Sequence, residues 1–250
     1  MAEIVRDYTF FNQCVEALTK DIYPQPPDAG HREWAYEAFE WIMTTAYAGR
    51  LGEGDEVLDV GCGQGFMCPT FEDAGFNWTG VTIGADFKEA RHFLASLAID
   101  PRKVWEADMT FLPFDANSFD LVFARHVLEH SPFPIITLME WHRVAKPESW
   151  MCLVAPAPHY WLSGGKNHYS LVPKENLEWW LRRSGWEPVH RFTFDNRMLS
   201  FLRHLDVLDV QLRSKDLGEI LAVGKEIIGR YPQGPVEYRI MCRYAEEVLE

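Results

Sequence analysis

A glycine-rich segment behind a short apolar run is the part of this sequence that most clearly suggests chemistry. It reads VLDVGCGQG and places Gly61, Gly63 and Gly65 at alternate positions. Glycines that follow a buried strand allow a tight turn and let a ligand approach the backbone closely. Asp59, just before them, carries a carboxylate that suits a cationic ligand better than a pyrophosphate.

Two common nucleotide-binding motifs do not match this segment. The dinucleotide fingerprint GxGxxG needs a glycine where Phe66 stands, and the segment lacks the GK[ST] ending of a phosphate-binding loop. A plain strand–helix turn is the alternative, since glycines there also serve close packing.

Histidine is concentrated in one part of the chain, where five of the nine fall between positions 126 and 168. Imidazole is the natural base for taking a proton from a hydroxyl or an ammonium near neutral pH. We predict His126, His130 and His168 as catalytic residues, with Tyr169 orienting the acceptor. The alternative for each histidine is a surface or hydrogen-bonded structural role.

The spacing of two of these histidines also raises the question of a metal. On a predicted helix over His126–Ser131, His126 and His130 would share one face, a spacing that can hold a metal ion. No pattern of cysteine, aspartate or glutamate completes the ligand set, so we predict no metal site.

The loop Pro156–Ser170 has the composition of a lid. It is rich in aromatic residues and contains two His-Tyr pairs and a Gly-Gly pair. Mobile glycines and bulky side chains can close over a substrate and exclude water. Trp161 is the substrate-facing candidate in this loop, whereas Trp34, Trp41, Trp179 and Trp180 lie on predicted helices and are expected in the core.

Strand and helix patterns alternate along the chain and would position these residues. Strands are predicted over Glu56–Val60, Trp78–Ile83, Lys103–Ala107, Phe119–Ala124, Trp150–Ala155, Val189–Phe194 and Glu237–Tyr244. Such alternation indicates a Rossmann-like α/β fold with a doubly wound, mostly parallel sheet and helices on both faces. In open sheets of this kind, ligands bind outside the carboxyl ends of the strands.

The chain divides into four predicted parts. Residues 1–30 form an N-terminal helical arm with a Pro-rich linker, and residues 31–195 form the core. Residues 196–235 form a helical insertion or cap, and residues 236–250 carry the final strand back to the sheet. The insertion and the final strand could serve a homodimer interface or a substrate cap, and both alternatives stay open.

Charge and composition exclude several classes of protein. The 24 Lys and Arg against 37 Asp and Glu give a net charge of −13, without a basic stripe for nucleic acid. The densest basic pair, Arg182 and Arg183, is expected on a solvated helix face. The five scattered cysteines contain no CxxC pair, and neither a signal peptide nor a membrane span is recognisable. We therefore expect a cytoplasmic protein with reduced thiols and no membrane association.

Four motifs in order resemble the class I S-adenosylmethionine-dependent methyltransferases, in particular their small-molecule subgroup. They are VLDVGCGQG, WTGVTIGAD, EADMTFLPFDANSFDLVFARHVLEH and HRVAKPESW. The resemblance covers roughly residues 33–194. It implies a seven-stranded sheet with an antiparallel last strand, S-adenosylmethionine as cofactor, and methyl transfer to a small-molecule acceptor.

The resemblance also implies a role for individual residues. Gly61, Cys62, Gly63 and Gly65 would line the methionine end of the cofactor, and Asp59 would help to fix its amino group. Asp108 would accept a hydrogen bond from the adenine amine, with Met109 against the ring. Arg125 and His126 would flank the sulfonium, and Thr82 and Ile83, at the ligand-contacting end of the second strand, would also bind the cofactor.

One position departs from the family pattern. Family members usually carry Asp or Glu at the end of the second strand, where it holds both ribose hydroxyls, and this chain has Thr82. A neutral hydrogen bond contributes about 1 kcal/mol and a charged one about 1.5–3 kcal/mol. Either the cofactor binds more weakly, or Asp86 takes over the contact.

Three functions are compatible with these observations to different degrees. The first is a small-molecule methyltransferase, with O-, N- and C-methyl transfer all open. The second is a binding or scaffold protein that keeps the fold without turnover, for which Thr82 is the best support. The third, a nicotinamide-dependent oxidoreductase, is disfavoured by Phe66 and the missing acidic ribose ligand. A nucleic-acid methyltransferase is disfavoured by the net charge. A concave basic patch near Arg125, Lys166 and Arg182 would favour it again, or would indicate an anionic small substrate.

Overall fold

The structure is a computed structural model that describes residues 29–44, 51–156, 168–170, 174–192 and 237–244. Its helices are α1 (Ala29–Thr44), α2 (Cys68–Asp73), α3 (Gly84–Ser96), α4 (Pro134–Val144) and α5 (Lys174–Arg183). Its strands are β1 (Glu56–Val60), β2 (Asn77–Thr82), β3 (Val104–Glu106), β4 (Phe119–Arg125), β5 (Ala145–Pro156), β6 (Trp186–Phe192) and β7 (Glu237–Tyr244). Short 3-10 turns lie at Pro101–Lys103 and Leu128–His130.

These strands form one sheet in the order β3-β2-β1-β4-β5-β7-β6. The five strands from β3 to β5 run parallel, and β7 pairs antiparallel with both β5 and β6. The predicted Rossmann-like α/β class is confirmed. The strand order reverses between β1 and β4, and the carboxyl ends of strands beside such a reversal enclose a ligand-binding crevice.

The central strands are apolar because helices cover both faces of the sheet. Leu58 and Val60 of β1 point into one buried cluster, which α4 and α5 complete with Trp141 and Leu181 among others. Alternate residues of β1 and β4, such as Val57, point into a second cluster with α1, α2 and α3. Side chains of a strand alternate between the two faces, so a parallel strand covered on both sides is apolar throughout.

The second cluster fixes the helices around the site. Ala35, Ala38 and Ile42 are spaced three and four residues apart on α1, and all three are buried. Ala90 and Leu94 are spaced four residues apart on α3 and are also buried, whereas Leu97, just beyond the end of α3, is exposed. Helices α1 and α3 are therefore held against this face of the sheet.

Several sequence-based expectations need correction or lie outside the described residues. Trp179, expected in the core, is 53% exposed, and the Arg183 guanidinium lies over its ring. Strand β5 begins at Ala145 rather than Trp150. Arg182 and Arg183 are exposed, as predicted. The N-terminal arm, most of the predicted lid with Trp161, and the insertion over residues 196–235 fall outside what the structure describes.

Membrane insertion through a helix finds no support here. None of the helices that the structure describes is both long and apolar enough to cross a membrane.

Candidate active site

The turn after β1 holds the predicted glycines, and its shape depends on them. Gly61 adopts a φ of +69° and Gly63 a φ of +52°. A β-carbon on Gly61 would lie 2.4 Å from Cγ2 of Val127. On Gly63 it would meet no atom within 4 Å. The turn is therefore packed against the loop after β4 on one side and open on the other, which leaves room for a ligand against its backbone.

Hydrogen bonds join this turn to its neighbours. The backbone N–H groups of Gly61 and Cys62 both donate to the carbonyl oxygen of Val81, at 2.9 and 3.0 Å. The side chain of Gln64 donates to Glu89 on α3 at 2.6 Å. The turn is thus tied both to the end of β2 and to the helix that follows it.

Asp59 lies at the base of the turn and is only 4% exposed. Its Oδ2 accepts a hydrogen bond of 3.2 Å from Nε1 of Trp78. Burial raises the pKa of Asp59 from 3.8 to about 7, against the opposing effects of Trp78 and of the positive charge of Arg125. A buried carboxylate with one hydrogen-bond donor gains from a cationic partner, which is what the ammonium of an amino acid group would supply.

Cys62 is a buried packing residue of the glycine turn and not a reactive thiol. It is buried, and burial together with the charges of Asp59 and Asp86 raises the pKa of its thiol well above the ordinary value. A β-carbon on Gly80 would lie 2.3 Å from the Trp78 ring and 2.7 Å from Sγ of Cys62. Gly80 therefore makes room for both. A glycine inside a strand indicates that another group packs closely against its backbone. Gly80 is therefore the sequence signal from which the packing of Trp78 beside Asp59 could have been predicted.

The end of β2 and the start of α3 carry Thr82 and Asp86, the two candidate residues for holding the ribose hydroxyls. Thr82 is buried and Ile83 is 36% exposed. Asp86, in the first turn of α3, is half-buried, and burial and the charge of Glu89 raise its pKa. Since its charge also acts on Cys62, the Asp86 carboxylate lies close to the glycine turn. The structure thus brings Thr82 and Asp86 to the same edge.

Asp108 and Met109 lie after β3, next to the end of β2 in the sheet. Oδ1 of Asp108 accepts a hydrogen bond of 2.8 Å from the backbone N–H of Thr110, and burial raises its pKa against that bond. The carbonyl oxygen of Met109 accepts a 2.9 Å bond from Nε1 of Trp141. These hydrogen bonds hold the Asp108 carboxylate and the Met109 backbone in place beside the end of β2.

The loop after β4 differs from the prediction of a helix over His126–Ser131. His126 has a φ of +50°, and only Leu128–His130 form a 3-10 turn. His126 and His130 therefore do not share one face of an α-helix. Glu129 brings them together instead, since its Oε1 lies 3.4 Å from Nδ1 of His126 and the charge of His130 acts on its carboxylate.

Backbone hydrogen bonds bring His168 to the same turn. The carbonyl oxygen of Glu129 accepts bonds from the N–H groups of Tyr169, at 2.7 Å, and Ser170, at 3.1 Å. The hydroxyl of Ser170 donates to the carbonyl oxygen of Ser131. The His168 and His130 rings consequently meet edge to face, with centroids 4.9 Å apart.

This cluster corrects the argument that no carboxylate completes a donor set near the histidines. One oxygen of Glu129 and one ring nitrogen each of His130 and His168 lie within 4.8 Å of one another. Tyr169 is 39% exposed. Sequence reasoning missed Glu129 because it sought ligands by spacing, whereas His168 reaches the cluster through the tertiary fold.

The geometry defines a Rossmann-like domain with a glycine turn, a buried acid and a histidine cluster at the carboxyl edge of its sheet. The family model described as methyltransferase domain matches residues 31–191. The chain therefore belongs to this family, the class I S-adenosylmethionine-dependent methyltransferases.

Individual relatives resemble part of the chain. Over 98 residues it is 37% identical to the ubiquinone biosynthesis O-methyltransferase of Pseudomonas aeruginosa, covering 38% of this chain and 41% of that protein. Over 99 residues it is 34% identical to the sterol 4-C-methyltransferase strm-1 of Caenorhabditis elegans, covering 39% of this chain and 30% of that protein. Less than half of each relative is thus matched.

The fold is also shared with a solved structure. A SAM-dependent methyltransferase from Aquifex aeolicus superposes with a TM-score of 0.59 at 14% identity, over 92% of this chain and 98% of that one. At this identity the likeness shows the fold alone.

Proposed function

We propose that this chain binds S-adenosylmethionine and transfers its methyl group to a small-molecule acceptor. The observation that carries the proposal is the pairing of a buried carboxylate, Asp59, with a glycine turn whose outer side is open above Gly63. The cofactor joins an ammonium to a sulfonium and a nucleoside, and each of these groups has a suitable residue at this edge. The residues at this edge therefore fit S-adenosylmethionine.

Each residue has a binding task in this proposal. Asp59 pairs with the ammonium, and the turn from Gly61 to Gly65 presents its backbone to the methionine part. Asp86 takes the ribose hydroxyls, with Thr82 beside it, because Asp86 lies in the first turn of the helix that follows the end of β2. Asp108 accepts from the adenine amine, while Met109 and Ile83 contact the ring.

When bound, the cofactor would supply a methyl group activated by the positive charge of the sulfur, for transfer to the acceptor. The protein's contribution is therefore positioning and removal of a proton. His126 directly follows β4, and its Nδ1 lies 3.4 Å from Oε1 of Glu129. We assign His126 the task of taking the proton from the acceptor, because imidazole is a suitable base near neutral pH. Arg125, next to it, favours an acceptor that carries negative charge.

Charge and relatives support a small acceptor. A net charge of −13 opposes binding to nucleic acid. The relatives include an O-methyltransferase and a C-methyltransferase, so the acceptor atom is left open. Fold likeness by itself does not choose between them.

A folded protein without turnover is the competing function, and Thr82 favours it. Without an acid at this position the ribose loses a charge-assisted hydrogen bond unless Asp86 supplies one. The two functions differ in whether the cofactor is consumed.

Thermal denaturation with S-adenosylmethionine, S-adenosylhomocysteine and NAD in parallel tests the cofactor. A ligand at 100 times its dissociation constant adds about 2.7 kcal/mol of stability. We expect stabilisation by the two S-adenosyl compounds, none by NAD, and loss of the effect in Asp59→Asn. Absence of any shift with the S-adenosyl compounds would reject the proposal. Release of S-adenosylhomocysteine in the presence of a panel of hydroxylated, amino and enolic acceptors then separates enzyme from scaffold.

A further inference from the structure

We propose that Glu129, His130 and His168 form a binding site for a divalent transition-metal ion, with zinc the best match to the donors. Two imidazole nitrogens and one carboxylate oxygen are a donor set that zinc uses in catalytic sites, where a fourth position stays open. The binding itself is independent of the proposed function. The role of the metal beside the acceptor rests on that function.

The donor atoms are already close together. All three lie within 4.8 Å of one another, whereas donors around a tetrahedral zinc ion with bonds of about 2.0–2.2 Å lie about 3.4 Å apart. Side-chain rotations that draw the donors in by roughly an ångström would complete the geometry. The imidazole planes are inclined by 65°, so the rings do not block each other as a parallel stack would.

Glu129 provides a second, independent observation that points to a cation ligand. It is 2% exposed, and its Oε2 is buried without a hydrogen bond from any residue that the structure describes. A buried carboxylate oxygen in this state loses its hydration without compensation, which is costly. A metal ion bound to Oε2 would supply that compensation, while Oε1 stays with Nδ1 of His126.

The surrounding backbone holds the donors in place. The bonds from Tyr169 and Ser170 to the Glu129 carbonyl fix the segment that carries His168. The N–H of His130 donates 3.0 Å to the carbonyl oxygen of Val127, which closes the 3-10 turn. His126 would act as the outer partner that orients the ligating carboxylate, an arrangement common around protein-bound metals.

The position of the site suggests what the metal would do. Val127, which precedes the turn, packs against the cofactor turn at Gly61. His130 and His168 are half-buried, so the site is accessible from outside. At this place the open position would take an oxygen of the acceptor and lower its pKa, which implies a hydroxyl or enol acceptor.

Calorimetric titration of tag-free, chelator-treated full chain with zinc chloride tests the binding. We expect one zinc per chain, with affinity at least tenfold weaker in both Glu129→Gln and His168→Asn. His92→Asn, on α3, should bind zinc like the unaltered protein. Cobalt(II) in place of zinc should give visible absorption of a tetrahedral site that both cluster variants lose.

Two results would overturn the inference. One is no stoichiometric zinc binding by the unaltered protein, and the other is unchanged zinc affinity in His168→Asn, which decides the matter even if Glu129→Gln does not fold. Titration of the zinc-free protein with S-adenosylmethionine separates this inference from the proposed function. Cofactor binding without zinc binding rejects only the metal site, and zinc binding without cofactor binding rejects only the proposed function.

Discussion

Gly61 lies so close to Val127 that a β-carbon on the glycine would stand 2.4 Å from Cγ2 of the valine. The contact joins the turn after β1 to the loop after β4 across the point where the strand order reverses. The two halves of the candidate site are therefore held by direct packing, and a change on one side is transmitted to the other.

The Gly61→Ala variant should be strongly destabilised. It combines a positive φ, which costs a residue with a β-carbon about 1–2 kcal/mol, with an overpacked contact worth about 1–3 kcal/mol. Gly63→Ala is the matched control, since it has a positive φ but no atom within 4 Å of the added carbon. Chemical denaturation should show the larger loss for Gly61→Ala and partial recovery in the double variant with Val127→Ala. Equal losses at Gly61 and Gly63 would contradict the packing argument.

The raised pKa of Asp59 predicts a pH-dependent stability. Burial raises the pKa of Asp59 from its ordinary value of 3.8 to about 7. If the unfolded chain has the ordinary value, the protonated carboxyl stabilises the fold fully below pH 3.8, and this stability is lost as the pH rises through 7. The shift corresponds to at most about 4 kcal/mol. Asp59→Asn, which cannot ionise, should therefore be more stable than the unaltered protein at pH 8 and similar near pH 4. A stability difference between Asp59→Asn and the unaltered protein that does not vary with pH would refute the raised pKa of Asp59.

The Asp108→Ala variant should weaken cofactor binding. A charge-assisted hydrogen bond to the adenine amine is worth about 1.5–3 kcal/mol, or roughly 10- to 150-fold in the dissociation constant. Asp115→Ala, on an exposed stretch before β4, is a suitable control. Calorimetric titration with S-adenosylhomocysteine measures the dissociation constant of each variant. Unchanged affinity in Asp108→Ala would mean that another residue binds the adenine.

The His126→Ala variant should slow turnover far more than it weakens cofactor binding. A general base contributes about 10²–10⁴ to the rate, whereas the contacts proposed to hold the ammonium, the ribose and the adenine are made by Asp59, Asp86 and Asp108. Turnover with an acceptor found by screening and the dissociation constant of S-adenosylhomocysteine should be compared with those of His92→Ala. Equal losses of turnover and affinity would assign His126 to holding the cofactor instead.

The amino-acid sequence by itself determined the fold class and the candidate cofactor-binding edge of this protein. Val57, Leu58 and Val60 predict a strand buried on both faces, and the glycines behind it favour a tight turn. Both are local properties, because strand periodicity and backbone freedom depend on a few consecutive residues. Asp59, Gly61 and Asp108 could be named as candidate site residues because the ordered motifs that contain them resemble those of the family.

Only the tertiary structure decided how the histidines meet. His168 follows His130 by 38 positions in the sequence, and their contact depends on hydrogen bonds from Tyr169 and Ser170 to one carbonyl group, that of Glu129. The burial of Glu129 and its closeness to His126 likewise arise from a 3-10 turn where a helix was predicted. Such features depend on the packing of separate elements, and no spacing along the chain encodes them.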